Sequence, residues 1–280
     1  QGEAAETVAP YHPKITQHVM ENNEHKISVV INTYNAAAML EEVIRAAEGF
    51  DEVLVCDMES TDDTVAIAER LGARVVTFPK ADHRSAEPAR TFAIQSALCP
   101  WVLVVDADEI ITTELRDYLY QRISQPDCPQ GLYIPRKGYF MHRLFAYPDY
   151  QLRFFIREGT VWPPYVHTFP TVQGRIEYIP RRRRELALIH LADDSIRTRV
   201  YKTNEYTDNE VEKKRGKHYG AFKLVFDPMF RFVKAYFFKG QICKGVPGFI
   251  NASLDAYYRF ITIAKVIESR NAERDIRHRK

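Results

Sequence analysis

Between residues 27 and 124 four short apolar runs alternate with four segments of helical periodicity, and that alternation leaves few folds open. The runs are Ile27–Thr33, Glu52–Asp57, Ala73–Phe78 and Trp101–Asp106, each rich in Val, Leu or Ile and each reading as a buried strand. Between them, apolar residues recur at helical spacing: Leu40, Val43, Ile44 and Ala47 within 36–48, then Val65, Ala68 and Leu71. A third helix is expected over 86–98, and a fourth over 113–124 with Leu115, Leu119 and Ile123 inward. Ser60-Thr-Asp-Asp63 fits a capping box for the second helix, and Gly72 fits its C-terminal stop. The expected fold class is therefore α/β: a Rossmann-like, mostly parallel sheet flanked by helices and joined by right-handed crossovers.

In such sheets ligands bind beyond the carboxyl ends of the strands. Thr33-Tyr34-Asn35, Asp57 and Asp106-Ala107-Asp108 all fall at strand carboxyl ends and are expected to converge on one crevice. Alternate residues at a strand end can address one ion, and carboxylates with phosphate oxygens suit Mg2+ or Mn2+. The plainer reading makes Asp106, Asp108 and Glu109 solvated acids before a helix, Asp57 a turn residue, and Asn35 a cap for the first helix. Downstream of 125 the rhythm changes. Gly131–Phe140, Gln151–Arg157 and Arg175–Ile179 read as strands of a mixed extension, and 195–272 as helical. The predicted domains are a polar leader over 1–25, a catalytic domain over 26–195 and a C-terminal helical extension over 196–280.

Ile31-Asn-Thr-Tyr-Asn35, Asp57 with Ser60-Thr-Asp62, and Asp106-Ala-Asp-Glu109 resemble, in order and spacing, the signature of family 2 glycosyltransferases with the GT-A fold. Pro148-Asp-Tyr-Gln-Leu-Arg153, Val166-His167 and Tyr257-Tyr258 in a basic tail resemble the lipopolysaccharide-core glucosyltransferase-like subgroup. The resemblance implies an inverting transfer from a nucleoside-diphosphate sugar, commonly a UDP-sugar. By position it gives Thr33, Tyr34, Asn35 and Asp57 to the nucleoside, and Arg90 to the base or diphosphate. Asp106 falls to ribose or metal, and Asp108 is the principal ligand of Mn2+ or Mg2+. Ala107 lies between them in the donor site. Asp149 is the first candidate for the base that deprotonates the acceptor hydroxyl, and His167 is the competing one. Gln151, Arg153 and His167 are expected to meet acceptor or diphosphate, Arg153 through its fixed fork of donors. Their plainer readings are a turn residue, a structural histidine and an exposed strand face. Met58-Glu59, Thr91 and Thr168 depart from the family pattern at the second-strand turn, after the basic helix residue and after the histidine.

Charge is divided unevenly. Residues 1–196 hold 20 Lys+Arg against 28 Asp+Glu, whereas 197–280 hold 19 against 9, so the basic end is expected to meet something anionic. Residues 213–265 carry eleven Lys+Arg and two acids, Asp227 and Asp255, interleaved with twelve Phe and Tyr. This mixture favours lying in a membrane interface over crossing the bilayer. Helical packing of the aromatics on the catalytic domain is the alternative. Arg181–Arg184 reads as a solvated patch or a phosphate contact. The first 25 residues lack an apolar signal, and Cys56, Cys99, Cys128 and Cys243 are scattered as thiols of a reducing compartment. Together these lead to an expected peripheral enzyme on the cytoplasmic membrane face with a glycolipid or lipopolysaccharide-core acceptor. Peptide or protein glycosylation on the same fold is the alternative. A nucleic-acid-binding protein leaves the acidic sheet edge unexplained, and a nucleotidyltransferase lacks its Gly-rich phosphate loop.

Overall fold

The computed structural model describes residues 24–83, 85–145, 149–165, 168–214 and 216–278. The first half follows the expected alternation: β1 (Ile27–Thr33), α1 (Ala37–Ala46), β2 (Glu52–Asp57), α2 (Thr64–Arg70), β3 (Arg74–Thr77), α3 (Glu87–Ser96) and β4 (Trp101–Asp106). There follow β5 (Glu109–Ile110), α4 (Thr113–Ile123), β6 (Gly131–Phe140), β7 (Arg143–Leu144), β8 (Asp149–Ile156), β9 (Ile176–Tyr178) and β10 (Leu188–His190). The rest is helical: α5 (Ile196–Lys214), α6 (Ala221–Val233), a π-turn over Lys234–Phe238, a short 3-10 turn over Gln241–Lys244, and α7 (Val246–His278).

The strands run in the order β3-β2-β1-β4-β8-β6-β10-β5. β1, β2, β3 and β4 are mutually parallel, whereas β8 joins β4 antiparallel. The near-continuous apolar runs are explained by burial on both faces. Ile27, Val29 and Ile31 of β1 pack with Leu40, Val43 and Ile44 of α1 and with Leu115, Leu119 and Ile123 of α4. Val30, one residue out of phase, packs on the other face with Leu54, Val104 and Ala89, Ala93 and Ile94 of α3. Period-two alternation thus gives each strand one side chain for each helical layer.

Two expected caps do not form. α1 begins after Ala36 and α2 after Asp63, neither with a side-chain cap bond. Instead Asn35, at φ 49°, accepts from the Thr61 amide at 2.8 Å, and Asp62 accepts from the Ala37 amide at 3.1 Å. The two strand-to-helix turns brace each other, and Asp62 also accepts from the amide of Thr64, the first residue of α2, at 3.0 Å. Gly72 does end α2, at φ 78°, a backbone region that glycine enters without penalty.

The chain forms two compact units. One comprises residues up to Arg136 and Tyr150–Ile189; the other comprises Lys137–Asp149 and His190–Lys280. The expected boundary at 195/196 differs in that residues 137–149 group with the helices. In this second unit the Met141 amide donates to Asp193 at 2.8 Å, and the Arg199 guanidinium lies 4.4 Å from the Phe140 ring centre. Tyr219, Ile263 and Val266 form its buried centre with Leu224 and Val211 alongside. Among the described residues no helix is long and apolar enough to cross a membrane. All four cysteines are free thiols, with Cys56 buried and its thiol pushed up to about 12, first by burial.

Candidate active site

β1, β2 and β4 end side by side. Thr33 pairs with Asp57 across β1 and β2, while Asn32 pairs with Asp106 across β1 and β4. Neighbouring strands lie about 4.8 Å apart, so Asp57 and Asp106 flank the end of β1 at one sheet edge. Asp57 is buried and organises its turn. Thr33 Oγ1 donates to Asp57 Oδ1 at 2.9 Å, Ser60 Oγ to the same oxygen at 2.6 Å, and the Ser60 amide to Oδ2 at 2.8 Å. Ser60 Oγ in turn accepts from the Asn35 amide at 2.8 Å. Thr33, Asn35, Asp57 and Ser60 are therefore one connected network. Tyr34 stands exposed beside it, with Lys80 Nζ 4.8 Å from its ring centre.

The second cluster surrounds Asp106. Arg90 of α3 donates to Asp106 Oδ1 at 2.8 Å, and Arg153 of β8 donates to both carboxylate oxygens, through Nη1 at 3.1 Å to Oδ1 and through Nη2 to Oδ2. Burial works against the Asp106 charge, but the two guanidiniums outweigh it and hold the carboxyl well below the usual carboxylate range. Glu109 lies beneath, fully buried. It accepts from the Asp106 amide at 3.0 Å and faces Arg136 at 3.4 Å and Arg153 at 3.7 Å. Burial pushes the Glu109 carboxyl up, with the Asp106 charge adding to it against the pull of Arg153 and Arg136. The Trp162 ring floors both arginines, 4.6 Å from Arg90 and 5.8 Å from Arg153. Buried Nε and Nη1 of Arg90 and Nε of Arg153 find no acceptor among the described residues.

Ala107 and half-exposed Asp108 occupy the turn between β4 and β5. Burial works against the Arg153 charge, but the Asp106 and Glu109 carboxylates outweigh it, with a smaller share from Asp108. Gln151 lies two residues before Arg153 on β8 and is partly buried, while exposed Asp149 opens that strand in the second unit. His167 lies outside the described residues, as do Pro148 and Val166.

Sequence reasoning treated Arg153 as a ligand contact or an exposed strand residue; it is 4% exposed and clamps Asp106. It missed Glu109, Arg136 and Trp162 as parts of the cluster. The run Asp106–Glu109 offered a signal for Glu109, since a third acid after an apolar strand needs a cation if it is buried. Trp162 offered none, because its neighbour Thr91, which accepts from the Trp162 amide at 2.9 Å, is distant in the chain.

A mostly parallel sheet flanked by helices is the architecture of GT-A glycosyltransferases. A solved mannosyltransferase of that class, PcManGT from Pyrobaculum calidifontis in complex with GDP-Man and Mn2+, matches at a TM-score of 0.52 and 15% identity, covering 86% of this chain and 87% of the other. The family model of glycosyl transferase family 2 matches residues 28–177, and the chain belongs to that family. An uncharacterized glycosyltransferase of Rickettsia felis is 31% identical over 263 residues, 87% of this chain and 90% of that protein. The lipopolysaccharide core biosynthesis glycosyltransferase LpsC of Rhizobium meliloti is 27% identical over 256 residues, 86% of this chain and 92% of LpsC.

Proposed function

We propose that this glycosyltransferase moves a sugar, with inversion, from a nucleoside-diphosphate sugar, a UDP-sugar in the first instance. The acceptor is a lipid-linked or lipopolysaccharide-core saccharide at the cytoplasmic face of the membrane. The observation that carries the reading is the sheet edge itself, where the Asp57 network and the Arg90–Asp106–Arg153 cluster stand on either side of the end of β1. Thr33, Tyr34, Asn35 and Asp57 take the nucleoside, and Asp57, with three acceptor positions used, keeps room for one more donor. Arg90 and Arg153 bring unmatched donors to the diphosphate side. The acceptor class is supported by the likeness to LpsC and by the basic, aromatic second unit.

A divalent ion, Mn2+ or Mg2+, fits this edge in a restricted form. No group of three or more His, Cys, Asp or Glu side chains among the described residues is arranged to hold an ion, and both Asp106 oxygens accept from guanidiniums. Asp108 would hold the ion, with the donor's diphosphate oxygens completing its shell, as suits an ion bound by few carboxylates. When bound, the ion neutralises charge on the leaving diphosphate. Asp106 instead fixes the two arginines that orient that group. Asp149 accepts the acceptor hydroxyl proton as its oxygen attacks the anomeric carbon and the bond from that carbon to the diphosphate oxygen breaks.

Thermal melts with a panel of nucleoside diphosphates and their sugars, with and without Mn2+, test the donor site. A ligand that binds only the folded state raises its stability. We expect a metal-dependent rise with at least one nucleotide, abolished in Asp108→Ala. No rise with any nucleotide, from a cooperatively melting sample, overturns the reading.

A further inference from the structure

The second unit contains a cavity of about 350 Å3 whose lining includes none of the residues at the sheet edge. Its wall carries Arg231 and Lys234 from the α6 end, Lys239 from beyond the π-turn, and Arg259 from α7, against two acids, Asp227 and Asp255. Arg259 is already bonded to Asp227. Arg231 and Lys234 are exposed and make no ion pair with a described carboxylate. The π-turn is part of the construction: the Lys239 amide donates to the Lys234 carbonyl at 3.0 Å, an i to i+5 bond that widens the helix. Such turns mark functional places in helices more often than chance allows.

Beside this cavity runs an uncovered apolar stripe. α6 buries none of its residues, yet Phe222, Val225, Phe226, Met229 and Phe230 recur at three- and four-residue spacing and are 72%, 60%, 44%, 53% and 68% exposed. Phe230 borders both stripe and cavity. A phospholipid has this same order of chemistry: an anionic phosphate joined to apolar chains. Cationic donors in a recess beside exposed aromatics complement both ends at once.

We propose that the cavity walled by Arg231, Lys234, Lys239 and Arg259 binds the phosphate of a net-anionic phospholipid headgroup, one with no choline cation to balance it, while the α6 stripe enters the adjoining apolar layer. The proposal rests on the membrane-surface part of the functional reading and not on the donor site. It turns diffuse attraction of a basic surface into recognition at one address.

The test is co-sedimentation of the full chain with vesicles of phosphatidylcholine alone, of phosphatidylcholine with phosphatidylglycerol, and of phosphatidylcholine made equally anionic with oleate. We expect strong binding only to the phosphatidylglycerol vesicles, and a loss of roughly tenfold or more in the Arg231→Ser/Lys234→Ser double variant. A control pair of equal charge change outside the cavity, Lys217→Ser/Lys244→Ser, should lose less than about threefold. Phe226→Ser/Phe230→Ser should also weaken binding. All substituted side chains except Lys244 are exposed, and unchanged melting of each variant confirms its fold. Equal losses for the two basic pairs, equal binding to oleate vesicles, or no vesicle binding overturns the proposal. So does a saturable response to inorganic phosphate, lost in the cavity pair, without vesicle binding. Nucleotide-induced stabilisation measured on the same samples stands apart: its absence would sink the donor site and leave the lipid site standing.

Discussion

Arg153 is buried between two carboxylates, so truncating it leaves Asp106 with Arg90 and Glu109 with Arg136 as their remaining cations. Breaking a buried ion pair from one side costs about 3–5 kcal/mol, and we expect Arg153→Ala to lose stability in that range by denaturant unfolding. A loss under about 1 kcal/mol would show that the cluster relaxes or admits water. Asp106 adds a pH signature. Its folded carboxyl titrates below the unfolded one, so its contribution is complete above the ordinary aspartate range near about pH 4 and falls as pH drops below it. Melting profiles of wild type and Asp106→Asn should therefore converge on acidification below about pH 4; parallel profiles would contradict the assignment. At this scale the acids were legible because they end strongly apolar runs. Arg90 and Arg153 were named as ligand contacts, but their pairing with Asp106 was not legible, since they come from another helix and another strand and no local pattern says which carboxylate an arginine meets.

The elements were legible in proportion to their burial on both sides. β1, β2 and β4 have the expected bounds because each alternating position meets a helical layer. The short strands β5, β7 and β10 escaped notice, having two or three residues each and no room to show a period. α6 carries Pro228 in its interior, where the ring removes the bond to the Leu224 carbonyl, yet the helix continues into the π-turn. The junction into α7 is tight instead. A Cβ on Gly248 would stand 1.9 Å from the Gln241 carbonyl oxygen, so only glycine allows the 3-10 turn and the helix to approach this closely. Gly248→Ala should destabilise the helical unit by about 1–3 kcal/mol, read as earlier loss of amide protection in α7 than in β1 and β4. Unchanged protection would mean that the turn shifts freely.

Across the whole molecule, the sequence divides at 195/196 by composition, whereas the fold draws the helical unit from two stretches, 137–149 and 190–280. Composition could not reveal this, because β6 and β8 read as continuous strands while the hairpin between them has its partners elsewhere: Asp193 accepts from the Met141 and His142 amides at 2.8 and 2.6 Å. A chain ended at Ser195 keeps those two bonds but loses Arg199 from the Phe140 ring, all of α5 to α7 and the small core around Ile263. We expect it to melt well below the full chain or to aggregate, judged by calorimetry and size-exclusion chromatography; a monomer with the parent melting temperature would refute this.

The same division bears on heredity. The chain passes between the two units three times, after Arg136, Asp149 and Ile189. A relative could not acquire this tail intact by one recombination at its C-terminus, for the hairpin would stay behind with the recipient. Exchange of the helical unit needs matched breakpoints on both sides of the hairpin as well as at Ile189, so the catalytic sheet and its companion are expected to have been inherited together.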